Sequence, residues 1–566
     1  MLHTSGARRQ LSAPAGARTI MALRPEAAAE RDGGPASAGA PQGQGAPNRE
    51  PLRQAITAAY RRPEPECVPA LIEAARLDGS AARAVQAQAE QLVLALREKE
   101  SALGRQGLLQ GLLREFSLSS HEGVALMCLA EALLRIPDRD TRESLVRDKL
   151  ARGDWRAHLG HSDSLLVNAA AWGLLLTGRL VATTSEASLS STIAGILAKG
   201  GAPLVLAGVD MAVQVMSQQF VAGETIEAAL ANVTRREAQG FRVSCDMLGE
   251  AALTAEDAER YFGDYAHAVR VIGGAAVPGA EGAALYRRPG ISVKLSALHP
   301  RHCRAQYGRV MAELAPRLRS LARLARDFGI GLNIDAEESV RLEISLDLLE
   351  ALCRDPGLSG WNGLGLAVQA YQRRAPQVID WLIDLARRSG TPLMVRLVKG
   401  AYWDSEIKRA QVEGLADYPV FTRKVYTDVA YLACAKKLLA APEAVYAQFA
   451  THNAHTVAAI CHLAGPADDP DRYEFQCLHG MGESLYEQIV CRRDSGRRSC
   501  RIYAPVGSHR TLLPYLVRRL LENGASSSFI HRSADRKVPL EELIADPVAG
   551  AAAVEPRGAP HPRIAP

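Results

Sequence analysis

The sequence predicts an α/β chain: a closed (β/α)8 barrel of the TIM type, preceded by an all-helical arm. Three observations carry this. Past Glu186, eight short apolar runs follow one another, and most are followed by a stretch with helical apolar spacing. Residues 51–165 show helical spacing and no β-branched runs. No complete Gly-x-Gly-x-x-Gly follows any run, which disfavours an open dinucleotide-binding sheet.

The elements follow in chain order. Residues 1–50 are Ala, Gly, Pro, Arg and Ser with almost no large apolar side chains, and are expected to be disordered. Arg8, Arg9, Arg18 and Arg24 precede the first acidic residue, Glu26, as in a transit peptide, but a low-complexity extension, or an over-long start with Met21 as the true first residue, is the favoured reading. Residues 51–185 form the arm, where Ala81–Glu98 spaces Val85, Ala89, Leu92 and Leu96 on one face. Ser119-x-x-Glu122 and Asp140-x-x-Glu143 look like helix starts. Residues 186–535 form the barrel. Its strands are expected at Phe241–Leu248, Ile291–Leu298, Gly331–Glu337, Gly363–Tyr371, Leu393–Trp403, Gln448–His455, Glu474–Met481 and Arg501–Ser508. Helices are expected at Ala255–Ile272, Tyr307–Phe328, Ser339–Cys353, Gln377–Arg388 and Val420–Leu439. Residues 536–566 read as a linker-like tail.

Composition narrows the function. The chain has 566 residues, 47% of them hydrophobic and 23% charged, so a sizeable core can form. Lys+Arg is 67 and Asp+Glu 62, too small an excess to imply nucleic acid. The ten Cys include no Cys-x-x-Cys pair, which fits a reducing cytoplasm and disfavours a disulfide framework or zinc ribbon. The most apolar stretch, Leu165–Thr177, is shorter than the ~18–20 residues a membrane span needs, so membrane contact would be peripheral.

In such barrels chemistry gathers at the C-terminal strand ends. There the sequence places Asp246 and Glu250, then Lys294, Asp335, Gln369, and Arg396 with Lys399, Tyr402 and Trp403. Thr451, His452 and His455, then Leu478 and Tyr503, complete the set. A charge inside a strand covered on both faces is costly unless partnered, which singles out Lys294, Asp335 and Arg396. A purely structural ion pair explains any one of them alone. After the last strand, Tyr515-x-x-Arg518-Arg519-x-x-Glu522-Asn523-Gly524 puts Tyr515, Arg518, Arg519 and Glu522 along one helix face. Paired arginines can grip a carboxylate in fork geometry. Gly480-Met-Gly482 could cradle a phosphate or simply make a tight turn. His452 and His455 show no third metal ligand.

Several long segments together resemble the proline dehydrogenase module of the bacterial proline utilization A flavoenzymes. They are Ile291-Ser-Val-Lys-Leu-Ser-Ala-Leu-His-Pro300, Asn333-Ile-Asp-Ala-Glu-Glu338, Val395-Arg-Leu-Val-Lys-Gly-Ala-Tyr-Trp-Asp404, Ala450-Thr-His-Asn-Ala-His455, Leu478-His-Gly-Met-Gly482 and Tyr515-Leu-Val-Arg-Arg-Leu-Leu-Glu-Asn-Gly524. The resemblance spans residues 55–545. It implies FAD-dependent oxidation of L-proline to Δ1-pyrroline-5-carboxylate, with electrons passed to a membrane quinone. It implies that Lys294, Arg518 and Arg519 meet the proline carboxylate, and that Tyr402, Leu478, Tyr503 and Tyr515 wall the ring. Asp335 would orient Lys294, and Glu250 would form a gating ion pair with one of the arginines. Arg396 and Gln369 would reach the flavin ring. Val398, Lys399, Gly400, Trp403, Thr451, His452 and Glu522 would hold the rest of the FAD.

The resemblance further implies a cytoplasmic protein that docks on the membrane during turnover, and a homodimer. No ribbon-helix-helix segment is recognisable, so no nucleic-acid partner is expected. The tail resembles a linker to an aldehyde dehydrogenase domain, which leaves two alternatives: a truncated product, or a chain that works with a separate pyrroline-5-carboxylate dehydrogenase. Residue chemistry alone leaves two rivals: a Schiff-base or metal-dependent barrel, and a barrel that has lost catalysis and serves as an interaction protein.

Overall fold

The computed structural model describes residues 50–103, 141, 221–275, 282–465, 471–491, 497–507, 529–534 and 537–564. The expected head, the two helix starts near 119 and 140, and the segment carrying Tyr515, Arg518, Arg519 and Glu522 lie outside the described residues.

Eight parallel strands close into a barrel in sequence order. They are β1 (Arg242–Met247), β2 (Gly290–Val293), β3 (Gly331–Ile334), β4 (Leu364–Gln369), β5 (Leu393–Val398), β6 (Val445–Ala450), β7 (Tyr473–Leu478) and β8 (Ser499–Val506). Each sits within or beside one expected run. The second run ends early as a strand: past Val293, Leu295–Leu298 coil into a short helix, with Lys294 at its entry. Closure comes from β1 pairing with β8, Arg242 opposite Arg501 through Met247 opposite Val506.

Strand side chains alternate. Val243, Cys245, Ile291, Val293, Leu332, Ile334, Val395, Leu397, Phe449, Phe475, Cys500 and Ile502 are buried apolar positions of the large core. The intervening positions are polar and also buried: Arg242, Ser244, Asp246, Ser292, Lys294, Asn333, Arg396, Gln448, Glu474, Gln476 and Arg501. Several are hydrogen-bonded between strands that are not neighbours, as in Asn333 to Gln448 at 2.7 Å and Arg242 to the Tyr446 hydroxyl at 2.7 Å. Only the lumen permits such contacts. Branched aliphatics usually fill such a lumen. Here a hydrogen-bonded polar column does so.

The outer layer follows local rules. Helix α1 (Glu50–Ala58), α2 (Glu64–Ala75) and α3 (Gly79–Leu103) are the described part of the arm, and α4 (Ile226–Ala238) leads into β1. Thr225 caps α4 by accepting from the Ala228 N–H. Next come α5 (Ala255–Ala275), α6 (Tyr307–Asp327), α7 (Leu342–Cys353), α8 (Ala375–Ser389), α9 (Trp403–Val412), α10 (Lys424–Leu439), α11 (Ala454–Ala464) and α12 (Glu483–Val490). On α6, Val310, Leu314, Leu318, Leu321 and Ala325 make one buried stripe at helical spacing. Gly390, left-handed at φ 64°, ends α8.

The arm is tied to the barrel rather than hung from it. α3 lies against α11 and α12, and α2 lies against α10. Buried Glu64 accepts from the Thr422 N–H at 2.5 Å and the Thr422 hydroxyl at 2.7 Å. The same hydroxyl accepts from the His561 N–H at 2.8 Å. Near it, Arg423 and Tyr426 both donate to the Ala559 carbonyl. Helix α13 (Pro547–Ala552) packs on α2 and α10, with Leu543, Ile544, Val548 and Ala551 joining the core. Among the described residues, no helix is long and apolar enough to cross a membrane.

Candidate functional site

Four strand ends bring Lys294, Asp335, Arg396 and Tyr503 into one cluster. The Lys294 ammonium donates to Asp246 at 2.6 Å, Asp335 at 3.2 Å and the Tyr503 hydroxyl at 3.3 Å. Asp335 also accepts from Arg396 Nη1 at 2.7 Å and from the Tyr503 hydroxyl at 2.6 Å. The Arg396 guanidinium carbon lies 5.1 Å from the centre of the Tyr503 ring. From behind, the Tyr265 hydroxyl accepts the Lys294 N–H at 3.1 Å, which fixes the chain where strand becomes helix.

The electrostatics are settled by pairing. Burial works against a charge on Lys294, but Asp246, Tyr503 and Asp335 together outweigh it and hold its pKa well above the ordinary lysine value. Burial also opposes ionisation of Asp335, yet Lys294 and Arg396 bring its pKa below the ordinary carboxylate value. Burial raises Tyr503 well above the phenol value, so its hydroxyl stays protonated and donates to Asp335. The mouth of the lumen thus holds Lys294 and Arg396 in contact with the Asp335 carboxylate, with Asp246 beneath Lys294, where burial pushes the Asp246 carboxyl above its ordinary value against the pull of Lys294.

Asp246 is the penultimate residue of β1 and is fully buried. The sequence reading notes it at a strand end but gives it no role. The available signal is Arg242-x-Ser244-x-Asp246, polar at every second residue of a strand buried on both faces.

Beside the cluster, the other expected residues line the ends of β4 to β7. The Gln369 amide donates to the Glu337 carbonyl at 3.2 Å, and its oxygen accepts from Gln372 at 2.6 Å. Val398 closes β5, and Gly400 follows at φ 133°, where a Cβ would lie 2.5 Å from the Tyr371 ring. Lys399 pairs with Asp428, and burial takes its pKa below the ordinary lysine value against the pull of that partner. The Trp403 indole N–H is spent on the Phe421 carbonyl at 2.8 Å, so this side chain offers a ring face rather than a donor. Tyr402 immediately precedes it, half-buried.

Thr451 accepts from the Asn453 N–H and passes its carbonyl to the Tyr486 hydroxyl. His452 Nε2 accepts from the Leu478 N–H at 3.1 Å, which puts the ring proton on Nδ1. Gly482 makes room for that ring, because a Cβ there would sit 2.6 Å from it. Gly480 gives its N–H to Glu483 at 2.9 Å, as the turn reading of this glycine pair expects. Glu250 lies in the loop after β1.

Behind β3, His302 is buried, and neither ring nitrogen has a hydrogen-bond partner. Its nearest carboxylate oxygen, on Glu337, is 3.9 Å away. Burial, with Arg341 and His299 adding to it, pushes its pKa down to about 3. The unfolded chain, with a histidine near ~6.5, therefore binds a proton between these values that the folded chain does not. Stability attributable to this residue is full above that upper value and is lost as pH falls toward the lower one. Compared with His302→Phe, the wild type is expected to lose at most about 1.4 kcal/mol more per pH unit across that window. Urea titrations of both proteins at several pH values check this, and parallel curves would refute it.

Residues 229–532 match the family model described as proline dehydrogenase. Residues 50–97 match the proline utilization A proline dehydrogenase N-terminal domain. Residues 108–220 match the DNA-binding domain of proline dehydrogenase. This last match overturns the expectation of no nucleic-acid partner. That expectation rested on a missing ribbon-helix-helix segment and on whole-chain charge, whereas nucleic-acid binding depends on local charge. Apart from Thr141, the matched segment lies outside the described residues.

The chain is 62% identical over 518 residues to the bifunctional protein PutA of Salmonella typhimurium, covering 90% of this chain and 39% of that protein. It is 57% identical to the bifunctional protein PutA of Rhizobium meliloti, covering 91% and 41%. It therefore spans about two fifths of the length of these curated relatives. A crystal structure of a proline utilization A point mutant from Bradyrhizobium japonicum superposes with a TM-score of 0.67 at 46% identity, covering 89% of this chain and 49% of that one.

Proposed function

The chain belongs to the proline dehydrogenase family, and from that premise we propose that it oxidises L-proline to Δ1-pyrroline-5-carboxylate with FAD as cofactor. The observation that carries this reading is the paired cluster of Lys294 and Arg396 with Asp246 and Asp335 at the barrel mouth. Groups of both signs side by side suit a zwitterion, which brings one charge of each sign. Proline is such a substrate.

The donor set fits the cofactor. Lys399 and the Nδ1–H of His452 stand at the ends of β5 and β6, where cationic and N–H donors suit a pyrophosphate. Gly400 and Gly482 occupy positions where a Cβ would collide with Tyr371 and His452, so the backbone there stays close to the site floor. In this reading Gln369 and Arg396 face the flavin ring, while Val398, Lys399, Gly400, Trp403, Thr451, His452 and Glu522 hold the remainder. When bound, FAD supplies at N5 the acceptor for hydride from proline C5.

The protein residues bind and orient. Lys294, with Arg518 and Arg519, holds the substrate carboxylate, and Asp335 fixes Lys294 and Arg396 in place. Tyr402, Leu478, Tyr503 and Tyr515 wall the ring, and Glu250 pairs with one of the two arginines. The amine proton leaves to solvent, so no strong base is required. A membrane quinone reached by transient docking receives the electrons.

The Schiff-base rival needs a neutral lysine. Two carboxylates keep Lys294 charged, which disfavours it. The test is direct: the purified protein should be yellow with FAD and should reduce a dye when given L-proline. A colourless protein that takes up no FAD refutes the reading.

A further inference from the structure

We propose that Gln476, one layer below the cluster, is a positioning residue that aims Arg396, and that buried Glu474 sets the direction in which it does so. The claim rests on the flavoenzyme reading for its functional effect, but not for its geometry.

The chain of contacts starts at Glu474, which is fully buried in the lumen. It accepts from Arg501 Nε at 2.6 Å and Nη2 at 3.0 Å, and from Arg242 Nη1 at 3.2 Å. It also accepts from the amide nitrogens of Gln476 and Gln448, each at 2.9 Å. Burial opposes its ionisation, but Arg501 and Arg242 prevail and keep its pKa below the ordinary value. An ionised carboxylate only accepts hydrogen bonds. Each glutamine must therefore turn its NH2 toward Glu474 and its carbonyl away.

The two carbonyls then serve different clients. That of Gln448 accepts from Asn333 Nδ2 at 2.7 Å. That of Gln476 accepts from Arg396 Nε at 2.7 Å. With Nε fixed from below, the planar guanidinium can present Nη1 to Asp335 at 2.7 Å. A flipped Gln476 would set its NH2 against the Nε–H, donor against donor. Few alternatives exist for Arg396 from this side. Its other lumen contact is the Ser244 hydroxyl at 3.4 Å, and the adjacent cavity of about 10 Å³ holds no more than one water.

The pair Gln476→Met and Gln448→Met separates aim from mere packing. Both variants remove one donor to Glu474, but only the first touches Arg396. In Gln476→Met, kcat should fall about tenfold, while KM for proline stays within about twofold of wild type. The midpoint potential of the bound flavin should fall too, because a guanidinium withdrawn from the ring no longer favours its reduced, more negative form. Gln448→Met should leave kcat and potential unchanged. A crystal structure of Gln476→Met should show Arg396 displaced from Asp335.

Equal effects of the two variants on kcat and potential would overturn the proposal, as would a crystal structure with Arg396 still on Asp335. If Gln476→Met does not fold, Gln476→Asn, one methylene shorter, reads the same quantities. Failure of the wild type to take up FAD would refute the proposed function instead, and the crystal structure would then decide the geometric claim alone.

Discussion

Lys294→Met is expected to lower kcat/KM for proline by about 10³ and to cost about 3–5 kcal/mol of stability. The two losses have different origins. Activity falls because the mouth loses the cation placed for the substrate carboxylate. Stability falls because Asp246, fully buried and 2.6 Å from the ammonium, is left without its counter-charge. The origins separate in a double variant. Lys294→Met with Asp246→Asn removes both charges and should recover most of the stability, since the two sites are directly coupled. It should recover none of the activity. Denaturant midpoints and proline–dye kinetics on the three proteins decide this. Full stability in Lys294→Met would show that the buried pair contributes nothing.

Asp335→Ala should lower kcat by about 10²–10³. Asp335 joins the three other members of the cluster, accepting from Arg396, Lys294 and Tyr503. Without it, Lys294 keeps only Asp246, Arg396 loses its carboxylate partner, and the Tyr503 hydroxyl loses its acceptor. Lys294 and Arg396 then repel one another and part. The space left is the size of a small carboxylate. Added formate is therefore expected to restore a measurable share of both activity and thermal midpoint, with chloride as a weaker substitute. Absence of any formate effect would mean that the cluster rearranges rather than waiting for its missing anion.

The barrel was legible because the apolar runs and helical stretches alternate as a doubly covered parallel sheet demands. Boundaries were weaker where one apolar run serves two conformations. Ile291–Leu298 reads as a single strand, but the structure bends it at Lys294 into a helical turn, and run length alone cannot distinguish the two. Lys294, Asp335 and Arg396 were legible together because each is costly in a buried strand unless partnered. Asp246 carries the same cost, but its partner Lys294 lies 48 residues away on the next strand, which spacing along one strand does not show. Glu474 and Gln476 were harder still. Their polarity shows in the sequence, but their meaning depends on partners across the lumen, which sequence spacing does not encode.

The junction at Thr422 bears on how the protein is made. Glu64 on α2 meets this threonine across a separation of 358 residues, and His561 meets it across 139. During synthesis α2 emerges long before α10 exists to receive it. A helix of 12 residues is marginal in water by itself. Until then Cys67, Val68, Leu71 and Ile72, all buried at the end, face solvent on the growing chain. At ~5–20 residues per second, that exposure lasts roughly 20–70 seconds. Helix α2 is thus a folding liability until α10 has been made.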